Sequence, residues 1–204
     1  MKRRLLAAVL AAGCIAVPAA HADGDPASDY LLSQDTFLPF DANISKEQAA
    51  QLNTVVADAK KKGFKVKVAV IAKPFDLGAV PSLYGKPKTY ARFLGQELFF
   101  LYKGRLLIVM PRGYGASRGG KPLPSDQRVL DTMPAPGESG AELTAAAARA
   151  VQRLAAQNGV QVAIPPVASG DSETNDRIII AGIAGGLVLL LLCGFAVRRI
   201  LARR

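Results

Sequence analysis

Two short apolar runs, separated by a long periodic segment, constrain the fold more than any other feature. The stretch from Lys65 to Gly115 opens with KVKVAVIA, passes through a Gly/Pro/Lys-rich connection, continues as TYARFLGQELFFLYKG and ends in RLLIVMPRGYG. Breaker-bounded apolar runs on either side of a helical period predict a βαβ unit with parallel strands. In the first run, Val66, Val68 and Val70 alternate with Lys65, Lys67 and Ala69, the pattern of a strand partly exposed at its start. The second, Arg105 to Met110, is almost wholly apolar, as a central parallel strand requires. Between them, Thr89 to Tyr102 is expected to be a well-buried helix. Thr89 is its expected N-cap, one face carries Tyr90, Phe93, Leu94, Leu98 and Leu101, and Phe99 and Phe100 widen the apolar surface.

The flanking segments are read the same way. Asp41 to Gly63 is a helix opened by the capping box Ser45-x-x-Gln48 and closed by Lys60, Lys61, Lys62 and Gly63. Asn43-Ile44-Ser45 also fits a glycosylation sequon, but the serine is better used as the cap. Residues 23–40 are expected to be irregular chain tucked onto the core edge, because Pro39 argues against a central strand. Pro111 to Gly115 reads as a turn, Ala116 to Gly140 as an extended loop, Ala141 to Asn158 as a third helix and Val160 to Ile164 as a short last strand. The fold class is therefore α/β: a single two- or three-layer sandwich on a small, mainly parallel sheet, with the domain spanning 41–164.

The two ends place this domain. Lys2, Arg3 and Arg4 precede the apolar run Leu5 to Val17, and Ala20-His21-Ala22 is a small-x-small site, so residues 1–22 read as a secretory signal peptide cleaved after Ala22. Lipidation at Cys14 is the alternative processing, and a buried N-terminal helix the alternative to both. Ile178 to Val197 is twenty residues without a charge or proline, about 30 Å of helix at 1.5 Å per residue, the thickness of a hydrocarbon core. Arg198, Arg199, Arg203 and Arg204 follow it, so residues 198–204 form a basic tail that the positive-inside rule puts in the cytoplasm. The expectation is a single-pass protein of the cytoplasmic membrane, its N-terminal domain outside, joined to the lipid bilayer by a linker over 165–177 and a span over 178–197. Gly182 and Gly186 form a G-x-x-x-G pair that permits a homodimer through the span.

Charge and ligand chemistry narrow the function. The formal net charge of +10 resembles that of a nucleic-acid binder, yet seven of the bases lie in the two ends. Within the expected ectodomain, residues 41–121 carry 15 bases and 5 acids, whereas 23–40 carry four acids and no base. Such a domain outside the cell meets anionic lipid or envelope polymers, not nucleic acid. The two cysteines, Cys14 and Cys193, and the only histidine, His21, all fall in the end segments. That removes disulfides, Ser-His-Asp and Cys-His catalysis, and the usual zinc and haem ligation from the ectodomain. Gly113, Gly115 and Gly119 have neither the spacing nor the following helix of a dinucleotide cradle; Pro122 and Pro124 stand where a helix would start, and a tight turn is expected. What remains is a cluster after the two parallel strands. Asp76, Lys86, Lys88, Arg112 and Tyr114, with backbone N–H groups at Thr89 to Ala91, could receive a small anion or a partner. An Asp76–Arg112 salt bridge pinning two loops is the alternative use of that pair. No catalytic or metal-ligating residue and no cofactor is assigned.

The order of motifs resembles the TPM domain family. Ser45-Lys46-Glu47-Gln48 through Leu52, Lys67 to Ile71, Tyr90-Ala91 through Phe93-Leu94, Gly104 to Val109 and Gly113-Tyr114-Gly115 follow the family's sequence of helix, Val-rich strand, helix, apolar strand and G-Y-G. Secretion with one membrane helix is also its habit. The resemblance implies an α/β sandwich and one of two functions. The first is a non-enzymatic factor for assembly or maintenance of a membrane protein complex or envelope component. The other is a metal-assisted phosphatase using Ca²⁺ or Mg²⁺, by analogy with a thylakoid member of photosystem II repair that is associated with acid phosphatase activity and calcium. Where members carry an acidic or Asn-containing turn this chain has Tyr102-Lys103, and Met110-Pro111-Arg112 runs straight into G-Y-G. No catalytic residue is carried over.

Overall fold

A computed structural model describes residues 24–167. The signal segment with Cys14 and Ala22, the span from Ile178 to Val197 with Gly182 and Gly186, and the basic tail lie outside the described residues. Among the described residues no helix is long and apolar enough to cross a membrane.

The chain forms α1 (Pro26–Ser33), β1 (Thr36–Phe37), α2 (Lys46–Lys61), β2 (Val66–Val70), two 3₁₀ turns (Pro74–Leu77 and Pro81–Leu83) and α3 (Pro87–Glu97). It continues through β3 (Arg105–Met110), β4 (Gly113–Arg118), β5 (Lys121–Pro122), α4 (Pro124–Asp131) and α5 (Gly140–Gln157). The five strands lie in sequence order in one sheet. β1, β2 and β3 are parallel, with Phe37 opposite Ala69 and Val68 opposite Leu107. β3, β4 and β5 are antiparallel, with Ile108 opposite Gly115. The predicted βαβ unit is β2–α3–β3, and the sheet is mixed, not mainly parallel.

Alternation on the strands sorts the core onto two faces. Val66, Val68, Val70, Leu107 and Val109 point toward α2, α4 and α5, where Leu52, Val55, Leu130, Leu143 and Val151 are buried. Ala69, Ile71, Leu106, Ile108 and Met110 point the other way, onto Leu31 of α1, Tyr90 and Leu94 of α3 and Leu98 just after it. The architecture is thus a three-layer α/β/α sandwich. α2 begins at the predicted capping box, with the Gln48 amide donating to Ser45 Oγ at 3.2 Å and the Ser45 amide donating to Gln48 Oε1 at 3.0 Å.

Several expectations are corrected. Of the segment 23–40 expected to be irregular, the described part from residue 24 is not: Asp25 caps α1 and Pro26 opens it. β1 is then an edge strand, which tolerates the nearby Pro39. Residues 116–140 are not a loop but the end of β4, then β5 and α4. Gly113 to Gly115 open a strand, and the prolines after them are no obstacle to a helix, because Pro124 occupies the first position of α4, where a missing N–H costs nothing. α3 likewise starts at Pro87 after Lys86, two residues before Thr89, and ends at Glu97. Phe99, Phe100 and Leu101 do not extend its buried face; they are 40%, 91% and 77% exposed. Residues 160–164 run as coil, with the Gln161 and Val162 carbonyls accepting from Lys62 Nζ and Gln152 Nε2.

α3 lies close against the sheet. A Cβ on Gly115 would stand 2.0 Å from the Pro87 carbonyl oxygen, and one on Gly95 would stand 2.6 Å from the Gly120 amide. Small residues at these points let α3 lie against β4, and Ser117 Oγ donates to the Ala91 carbonyl across the seam. The G-Y-G sequence therefore serves backbone approach, not a phosphate.

Candidate functional site at the carboxyl edge of the sheet

Ligands of open α/β sheets settle outside the carboxyl ends of parallel strands. Here that edge holds a cleft of about 480 Å³. Its floor is Ala72 and Pro111, the chain just past β2 and β3, and its walls are the 41–43 loop, Tyr84–Gly85 and the start of α5. A second depression of about 370 Å³ adjoins it and shares Gly85 and Arg112. Lys86, Lys88, Arg112 and Tyr114 all line this second depression, so four of the five residues singled out in the sequence come together. Asp76 lines neither.

Asp76 has a different task. Its Oδ2 accepts from the Ala72 and Lys73 amides at 2.7 and 2.8 Å. It is buried, and that burial raises its carboxyl pKa. It closes the turn after β2 and makes no salt bridge with Arg112. The proposed amide cradle at Thr89 to Ala91 is also spent, because the Thr89 and Tyr90 amides donate to the Lys86 carbonyl within the first turn of α3. Lys88 pairs with Asp131 at 2.9 Å, Lys86 Nζ donates to the Ser82 carbonyl, and Tyr114, itself buried, donates its hydroxyl to the Pro134 carbonyl. Arg112 is exposed and makes no ion pair among the described residues.

Sequence reasoning missed the cleft's other walls. Ser139 N-caps α5 in a capping box with Glu142, whose Oε2 accepts from the Glu138 amide, the Ser139 amide and Ser139 Oγ at 3.1, 3.0 and 2.8 Å. These contacts hold the Glu142 carboxyl below its usual range. The Gly140 and Ala141 amides, next along the helix, find no acceptor among the described residues and line the cleft. Gly140 presses on the opposite wall, since a Cβ there would meet the Ala42 carbonyl oxygen at 2.0 Å. On that wall Asn43 takes a left-handed φ of 51°. Lys73 pairs with Asp41 at 2.7 Å, a contact that raises the lysine pKa and lowers the aspartate's. The sequence signal for this wall was Ser139-x-x-Glu142, a capping box that starts the helix one residue before the expected Ala141.

The arrangement suits recognition of an anion: one guanidinium without a counter-charge, one ion-paired ammonium and two open helix amides. Glu138 at the rim supplies an opposing negative charge. Within the cleft the Ser139 hydroxyl is taken up by capping α5. Among the described residues no three His, Cys, Asp or Glu side chains come together as a metal site. Comparison of the chain with protein-family models, curated proteins and solved structures finds no match in any of the three.

Proposed function

We propose that this chain is a non-enzymatic envelope factor, held outside the cytoplasmic membrane by one C-terminal span, whose carboxyl-edge cleft grips an anionic group on a membrane protein complex or envelope component. The observation that carries the binding role is Arg112, exposed at the junction of the two depressions and without an ion pair among the described residues, in a cleft also lined by Gly140 and Ala141. The membrane placement is supported by the signal-like residues 1–22 and the charge-free run from Ile178 to Val197. The TPM resemblance is consistent with both.

Photo-crosslinking in cells from position 86 tests this reading, since Lys86 lines the second depression. A discrete envelope partner, lost when Arg112→Ala is introduced, is the expected result. Hydrolysis of a generic phosphate ester by the purified chain, dependent on Ca²⁺ or Mg²⁺ and abolished by Asp76→Ala, would replace the binding role with the phosphatase.

A further inference from the structure

The edge opposite the cleft carries a feature the binding role does not use. α3 ends at Glu97, and Phe99, Phe100 and Leu101 follow on the turn that leads into β3. Phe100 is 91% and Leu101 77% exposed, and the two phenylalanine rings meet edge-on with centroids 6.1 Å apart. The Gly119–Gly120 turn between β4 and β5 packs beside them, because a Cβ on Gly119 would touch the Phe99 ring at 3.4 Å. Arg118 and Lys121 face each other across that turn, and Lys103 Nζ lies 4.7 Å from the Phe99 ring centroid. On the other side of the same edge a depression lined by Lys60, Lys65, Lys67 and Tyr102 continues the basic surface.

Most cations here are uncompensated. Lys60 and Lys67 share Asp35, Lys62 pairs with Asp58, and Arg105 with Asp126. Lys61, Lys65, Lys103, Arg118 and Lys121 are exposed and have no carboxylate partner among the described residues. Among the described residues of this edge, Glu97 is the one exposed acid outside an ion pair.

We infer that this amino edge is a bilayer-docking surface, in which Phe99, Phe100 and Leu101 enter the interface of an anionic membrane while the surrounding bases contact its headgroups. Three observations favour lipid over a protein partner. The apolar residues form a projecting turn, not a groove. Four of the five unpaired bases are lysine, a residue depleted from protein interfaces and enriched where a chain meets anionic lipid. An aromatic tip ringed by cations is the arrangement that places hydrocarbon inside and phosphate outside.

The tether permits it, and this step rests on the proposed membrane span. Gln51 Nε2 donates to the Pro165 carbonyl and Pro166 lies against the first turns of α2, so the described chain ends at the cleft edge. α2 is 16 residues, about 24 Å of helix. Residues 168–177 extend at most about 35 Å. The tether can return along the domain's height and leave the amino edge on the bilayer, with the cleft facing away from it.

The chain contains no tryptophan, so Phe100→Trp introduces a single reporter. The full chain is reconstituted in phosphatidylcholine vesicles containing phosphatidylglycerol, with brominated acyl chains as quencher. Phe75→Trp, on a residue 85% exposed at the cleft edge, is the matched reporter. The reporter at position 100 is expected to shift its emission to the blue and be quenched, while the position-75 reporter is unaffected. Reversing Lys103, Arg118 and Lys121 to Glu should lower the docked-to-free ratio about a hundredfold, at roughly fivefold per base. Deleting five of residues 168–177 leaves about 17 Å of reach and should abolish quenching while the chain stays in the vesicles.

Resistance to alkaline carbonate reports the span separately. An integrated chain whose position-100 reporter is unquenched overturns the docking surface and spares the anchor. A blue shift without quenching overturns it too, showing a protein or a second copy on the patch. So does quenching at position 75 instead. A chain that washes off overturns the anchor, and quenching on anionic vesicles before the wash then still upholds docking.

Discussion

The two edges of the sheet are built from the same parallel strands and differ in how far the connecting chain covers them. At the carboxyl edge long connections fold back on themselves. Asp41 neutralises Lys73, Asp131 neutralises Lys88, Asp76 absorbs two amides and Ser139 caps α5. At the amino edge the connections are short. They leave no chain to cover the end of α3, so Phe100 and Leu101 project beside unpaired lysines. Long loops close around one another into walls; short ones expose what they carry. A cleft and a projecting surface are the two results, and ligand and bilayer are their respective partners in the roles proposed above.

The largest test of this contrast is Gly115→Ala. The added Cβ would overlap the Pro87 carbonyl, and α3 would have to lift from β4. A loss above about 3 kcal/mol is expected, seen as a fall in the denaturant midpoint of the purified chain. An unchanged midpoint would mean that α3 is not clamped at its cleft end. Next is Arg105→Ala at the amino edge, which strips Nε from Asp126 Oδ2 at 2.8 Å and leaves a carboxylate only 2% exposed. About 3 kcal/mol should be lost, and adding Asp126→Asn should recover most of it. Failure of that rescue would show that Arg105 acts through the Phe64 ring, 4.8 Å from its guanidinium, and not through charge.

A pH scan probes the capped start of α1 at the carboxyl edge. Asp25 accepts the Tyr90 hydroxyl at 2.7 and 2.8 Å, and burial pushes its carboxyl up to about 6 from 3.8. The folded chain therefore holds a proton that the unfolded chain releases. The contribution of this group to stability is present below pH 3.8 and is lost as pH rises through 6. Roughly 2 to 3 kcal/mol is at stake, and Asp25→Asn should flatten that window in pH-dependent unfolding. Ser139→Ala, which removes the cap bordering the cleft, should cost about 1 kcal/mol in the same measurement. The smallest effect belongs to Phe100→Ser. At 91% exposure the change should stay within about 0.5 kcal/mol. A larger loss would mean that the projecting turn contributes to the core, contrary to its role as a free surface.

How much of this is legible in advance depends on the residues concerned. The β2–α3–β3 unit is legible because each strand's buried set follows from alternation alone, Val66/Val68/Val70 on one face and Ala69/Ile71 on the other. The Ser45 box marks the start of α2, and the helix itself, Lys46–Lys61, is shorter than the expected 41–63. Prolines are the main source of misreading. Pro26, Pro87 and Pro124 each open a helix, yet in the bare sequence Pro122 and Pro124 look like barriers and Pro87 like part of a loop. A proline at the first helical turn and one that breaks a helix look alike until the following turn is counted. Of the candidate site, Lys86, Lys88, Arg112 and Tyr114 are placed together by topology. Asp76 departs from its expected place because its burial and its two amide donors come from local turn geometry that spacing does not encode.

By itself the sequence determined what local chemistry can dictate. That covers the period of β2, β3, α2, α3 and α5, the Ser45 capping box, the absence of Cys and His from residues 24–167, and the expectation of a membrane-directed chain. Tertiary structure decided which surfaces those elements share. It set β4 antiparallel beside β3, brought the start of α5 against the 41–43 loop to form a cleft, and left Phe99, Phe100 and Leu101 uncovered. Period and capping are settled within a few residues by backbone hydrogen bonds and side-chain spacing. Exposure and charge pairing depend on contacts such as Lys88–Asp131, 43 residues apart, which only close packing of the whole chain creates.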